Sequence, residues 1–202
     1  PATNPEVLKL LDQIEAIKAK NETFASTVLA RAREKKLPSV PALEKVLQMR
    51  EARIPLLAAK AAYLEAKTGV EKAEASLEEY KSQLEELKER LENTPEEEKG
   101  TLEAQIKELE EKIAQAQEDI NAKKELLDEK EKELAEAHTA FQTAKEAIKA
   151  NFKNSKKQWI AAHNAAKKGL KDSQKPAEEE KKDQNTSITA ADEKEADKEI
   201  TS

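Results

Sequence analysis

The chain has 202 residues, 39% of them charged and only 3% aromatic, with a formal net charge of −6. Three Phe, two Tyr and one Trp cannot fill the core of a thick globular domain, and the absence of Cys excludes disulfides and thiol chemistry. Finely mixed charge excludes a dedicated nucleic-acid binder, which needs a basic excess, and there is no apolar run long enough to form a transmembrane segment.

Ala, Glu, Lys and Leu dominate, which is the composition of long helices and coiled coils. The first residue is Pro1, which we expect of a processed form or an excised piece. A first helix is expected over about 5–36. Asn4 can cap its free N–H groups, Pro5 fits the first helical position and Glu6 suits the positive end of the dipole. Val7, Leu10, Ile14, Ile17, Phe24 and Val28 follow at alternating spacings of three and four, with a polar interruption at Asn21. Leu37-Pro38-Ser39-Val40-Pro41 is rich in breakers and ends it.

A second helix is expected over about 41–92. Met49, Leu56, Tyr63, Val70, Leu77, Leu84 and Leu91 lie seven apart, and Ala52, Ala59, Ala66, Ala73, Tyr80 and Leu87 form the companion seam. These are the a and d positions of a coiled coil. Pro55 interrupts one backbone hydrogen bond, but the heptad keeps its phase across it, which predicts a kink and not a break.

Thr94-Pro95-Glu96-Glu97 has the pattern of a capping box, so a third helix is expected over about 95–171, with Gly100-Thr101 as a second possible start. It repeats the heptad, with Ile106, Ile113, Ile120, Leu127, Leu134, Phe141 and Ile148 at a and Leu102, Leu109, Ala116, Lys123, Lys130, Ala137 and Ala144 at d. Laid antiparallel, the two seams mesh. Leu84 faces Leu109 and Leu87 faces Ile106, while farther from the turn each large residue meets an alanine, as Leu56 meets Ala137 and Ala52 meets Phe141. A slip of one heptad sets Leu87 against Lys99 and ranks second. Lys123 and Lys130 are expected to pack their stems and leave their ammonium groups in water. The reading is an all-α, elongated three-helix bundle over 1–171 with a protruding antiparallel coiled-coil hairpin. Residues 172–202 lose periodicity and carry 5 Lys against 10 Asp and Glu, so a flexible acidic tail is expected there.

Residues 145–171 hold 8 Lys and one Glu. Phe152 and Trp159 stand seven apart there, with Lys156, Lys157 and His163 nearby. One reading makes these five residues a basic, aromatic contact surface for an anionic partner. The other has lysines favoured near a helix C-terminus while the aromatics close the open end of the bundle. The acidic turn from Glu92 to Thr101 is a recognition tip on one reading and a solvated turn on the other. Glutamate pairs such as Glu85-Glu86 and Glu110-Glu111 diverge around a helix and imply neither acid/base catalysis nor a metal site. No catalytic residue, cofactor or metal is expected, and the chain is read as no enzyme.

The long Ala/Glu/Lys/Leu heptads, the lack of Cys and the polar stretch Lys175-Pro176-Ala177-Glu178-Glu179-Glu180-Lys181 resemble helical, M-like coiled-coil ectodomains of Gram-positive cell-wall-anchored surface proteins. The resemblance is compositional and transfers no binding residue. It implies an extracellular location, attachment to the cell wall in the full-length protein, and an adhesin-like module that binds a protein ligand such as a host protein through exposed helix faces. A structural stalk or spacer, and an intracellular coiled-coil scaffold, are the alternatives. The hairpin satisfies its own seam, so a monomer is expected.

Overall fold

The computed structural model describes residues 4–172, and every regular element there is helical. The elements are α1 (Pro5–Phe24), a π-helical turn (Ala25–Leu29), α2 (Ala30–Glu34), α3 (Val40–Glu92), α4 (Lys99–Asn154) and α5 (Lys156–Asp172). The described residues divide into two compact units, one formed by residues 4–8 with Ala59–Leu134, the other by Lys9–Ala58 with residues 135–172. The expected acidic tail lies outside the described residues.

The first unit is the antiparallel pairing of α3 with α4. Between residues 101 and 134 every position that is not exposed is an a or d position, from Leu102 and Ile106 to Lys130 and Leu134. The same holds between 71 and 92, where only Ala73, Leu77, Tyr80, Leu84, Leu87 and Leu91 are sheltered. Burial therefore follows the seven-residue repeat read from the sequence. Two ion pairs cross between the helices, Lys88–Glu110 at 3.8 Å and Glu74–Lys124 at 3.2 Å. Passing from one pair to the other moves two heptads back along α3 and two heptads forward along α4, which fixes both direction and register. Lys88 follows Leu87 and Glu110 follows Leu109, as the first register requires. Leu87 and Leu109 also share one surface groove, and Tyr80 and Ala116 share another. Lys99, which the slipped register would bring to Leu87, instead pairs with Glu96 at 3.0 Å. The apolar layers hold this unit together. Burying a Leu or Ile contributes about 1.5–3 kcal/mol, whereas half-exposed ion pairs contribute about 0–1 kcal/mol each.

Lys123 and Lys130 are half-buried at d positions, and their ammonium groups reach Asp119 at 3.2 Å and Glu133 at 3.1 Å on their own helix. Asn4 caps α1 as expected, its side-chain oxygen accepting from the Glu6 N–H at 2.9 Å. Its amide group donates to Thr68 Oγ1 at 3.0 Å, which ties the start of α1 to α3.

In the second unit the first helix also runs antiparallel to α3. Ile17 and Leu56 line one groove, the Arg50 guanidinium lies 5.1 Å over the Phe24 ring, and Arg33 meets Glu44 at 3.2 Å. α3 continues unbroken through Pro55, as the constant heptad phase predicts. The core gathers Phe24, Val28, Leu29, Leu43, Val46, Met49, Ile148, Phe152, Trp159 and Ile160.

Three expectations are corrected. The third helix begins at Lys99, beside the second possible start at Gly100-Thr101 and not at Pro95, because the Thr94 hydroxyl turns back to donate to the Arg90 carbonyl and does not cap forward. That helix does not run on to 171. It breaks at Ser155, whose N–H is shared between the Asn151 and Phe152 carbonyls at 3.0 and 3.2 Å, and α5 leaves as a separate helix. A straight helix would carry Trp159, Ile160, Ala162 and Ala166 past the end of the bundle. The break turns them into the core, so α5 adds a fourth helical layer to the expected three. Finally, the first helix is not uniformly α-helical. At Ala25–Leu29 it widens into a π turn, which buries both Val28 and Leu29. Hydroxyls of Ser26 and Thr27 donate to the Thr23 carbonyl there, and that of Thr23 donates to the Ala19 carbonyl, so side chains supply bonds that the loosened backbone turn gives up.

Candidate functional site

The five residues singled out by sequence separate into two groups. Phe152, Trp159 and His163 are buried, Trp159 to the point of 2% exposure, while Lys156 and Lys157 are exposed. The Phe152 and Trp159 rings meet edge to face, 6.1 Å between centroids and 70° between planes. The indole N–H of Trp159 donates to Asn151 Oδ1 at 2.9 Å. Both rings belong to the core cluster with Phe24, Leu43 and Val28. They are therefore not ring faces offered to a partner, and the mixed basic and aromatic surface reduces to its lysines. Spacing could not decide this, because two aromatics seven apart make the same pattern on a core face as on a contact face.

Position explains which lysines stay outside. α3 starts at Val40 and α4 ends at Asn154, and the two are antiparallel in this unit, as Phe141 beside Leu56 and Phe152 in one core with Leu43 show. The α2–α3 joint and the α4–α5 joint therefore lie at the same end of the second unit. At the first joint α2 closes with the Leu37 N–H donating to the Ala32 carbonyl at 3.0 Å and the Lys36 N–H to the Arg33 carbonyl at 3.2 Å. This closure needs a left-handed residue, and Lys36 supplies it with φ 52°. Lys35 and Lys36 are exposed there, and so is Leu37, at 41%. At the second joint Lys149, Lys153, Lys156 and Lys157 are exposed. Among the described residues no carboxylate comes within ion-pairing distance of Lys149, Lys153 or Lys157. The sequence reading missed Lys35, Lys36 and Leu37 as neighbours of this group. Only the antiparallel chain path joins positions more than a hundred residues apart.

The tip between α3 and α4 is a turn in which the Glu98 N–H donates to the Pro95 carbonyl at 3.0 Å, with Glu96 and Glu97 exposed. Among the described residues there is no group of three or more His, Asp or Glu placed to hold a metal ion. No helix among them is long and apolar enough to cross a membrane. Comparison with protein-family models, curated proteins and solved structures finds no match to the chain.

Proposed function

We propose that the chain is a non-enzymatic binding module of a cell surface, an adhesin-like ectodomain that recognises a protein ligand through exposed helix faces of its antiparallel hairpin. The observation that carries this reading is the self-contained seam of the first unit. Its a and d positions are spent inside the α3–α4 pair, and from 101 to 134 every other position faces solvent. Such a pair has no apolar face left over for a second copy, which supports a monomer. Its surface is a long display of charged side chains, suited to contact and not to chemistry. Extracellular location and wall attachment belong to this proposal and rest on the compositional resemblance.

The test is capture by the immobilised full chain from host plasma and extracellular-matrix proteins, followed by affinity measurement with the purified ligand. The reading expects saturable binding that weakens when exposed charges of α3 and α4, such as Lys81 and Glu108, are reversed. A stalk or spacer would retain no protein above a scrambled-surface control, and that outcome would remove the binding reading.

A further inference from the structure

The two joints of the second unit bring together a charge pattern that helix stability does not account for. Lysines in the last turns of α4, such as Lys149 and Lys153, complement the negative end of that helix. Lys156 and Lys157 do the opposite. They stand in the first turn of α5, where the helix dipole disfavours a cation. Like charges one turn apart, as at Lys149 and Lys153, also repel by a few tenths of a kcal/mol. Lys35 and Lys36 add two further exposed cations at the same end. Among the described residues the carboxylates closest in sequence to these lysines are Glu34, Glu44 and Glu146, and Glu44 is engaged by Arg33 at 3.2 Å. An apolar residue stands among these charges, because Leu37 is exposed beside Lys35 and Lys36 on the joint.

We infer that this end of the second unit docks on an anionic lipid bilayer, with Lys35, Lys36, Lys149, Lys153, Lys156 and Lys157 facing the headgroups and Leu37 entering the interface. A planar, negatively charged surface engages cations from three separate segments at once. Each lysine held near such a surface strengthens binding about fivefold. Leu37 distinguishes lipid from a soluble polyanion, since an apolar side chain gains nothing from a polymer of phosphates but is drawn into the acyl boundary. The buried Phe152 and Trp159 exclude the deeper aromatic anchoring of an interfacial helix. They also exclude base stacking, on which single-stranded nucleic-acid binders rely.

The experiment is flotation of the full chain with phosphatidylcholine vesicles, alone or with about one-third phosphatidylglycerol, at about 0.1 M and ~0.5 M salt. Binding is expected only with the anionic lipid and is expected to fall at high salt. Lys156→Gln with Lys157→Gln should weaken it about 30-fold, and Leu37→Ser about tenfold. Circular dichroism should leave all three proteins equally helical, because the replaced side chains are exposed. Absence of flotation, or flotation indifferent to lipid charge or to the lysine replacements, overturns the inference. Capture of inorganic polyphosphate with Leu37→Ser neutral in both assays overturns it in favour of a soluble polyanion.

Discussion

Gly69 and Gly169 are positions at which one substitution should act with opposite signs. Both lie inside helices, and neither has positive φ. A Cβ added at Gly69 meets nothing within 4 Å. Alanine there gains the ordinary helix advantage over glycine, about 0.5–1 kcal/mol, or a rise in Tm of about 1–4 °C for a chain of this size. At Gly169 the same Cβ would stand 1.8 Å from Val28 Cγ2 and 3.0 Å from Val28 Cβ. Carbon atoms in contact sit about 3.5–4.0 Å apart, so α5 must lift off the π turn by about 2 Å or Val28 must leave its rotamer. Overpacking of this kind costs about 1–3 kcal/mol, which outweighs the helix gain and predicts a net loss of about 1–2 kcal/mol. Thermal and urea unfolding followed by circular dichroism measure both changes. Val28→Ala removes the clashing methyl groups, so the double variant with Gly169→Ala should be more stable than the two single losses added together, by about 0.5–2 kcal/mol. A Gly169→Ala protein that melts higher, as Gly69→Ala should, would refute the close seating of α5 on the π turn.

Three other expectations follow from single residues. Asn21 is 5% exposed and neither its amide nitrogen nor its amide oxygen has a hydrogen-bond partner, a situation costing about 1–3 kcal/mol. Asn21→Leu should therefore raise Tm by about 2 °C or more, and a fall would mean that the amide is satisfied in solution. Lys36 holds a left-handed conformation that glycine adopts without strain, so Lys36→Gly should stabilise by about 1 kcal/mol in urea unfolding. An unchanged or lowered midpoint would contradict the helix closure described for α2. Ile120 is 1% exposed in the α3–α4 seam, and Ile120→Asp should destabilise by more than about 3 kcal/mol through an unpaired buried charge, with Glu118→Asp on the exposed face as the neutral control.

The hairpin was legible because a helix paired along its length writes its contacts into the sequence at fixed intervals. Ile106, Leu109, Ile113 and Leu77 needed no tertiary information beyond the heptad, and the mismatch of Leu87 with Lys99 in the slipped alternative selected the register. The break at Ser155 was not legible. Local propensity favours helix on both sides of it, and the decision is made by the burial available to Trp159 and Ile160 against Phe24 and Leu43. The π turn is hidden for the same reason, since Thr23, Ser26 and Thr27 show only that hydroxyls are present, not that they will bind carbonyls of a widened turn. Thr94 had the spacing of a forward cap, yet its hydroxyl serves the helix behind it. Of the candidate site, the lysines were found as a run and the aromatics as a pair. Which of them face outward depends on the bend, and their proximity to Leu37 depends on the antiparallel path.

The account stands most directly on α3 and α4 pairing within one chain in one register. Spin labels at 88 with 110, and in a second sample at 74 with 124, measure this by pulsed electron resonance. The helix axes should lie about 8–10 Å apart, so both samples are expected to give short distances that persist when labelled chain is diluted into unlabelled chain. A register slipped by one heptad would add about 10 Å along the axis and bring 88 close to 103 instead. Short distances that vanish on dilution would assign the pairing to two molecules and contradict the hairpin.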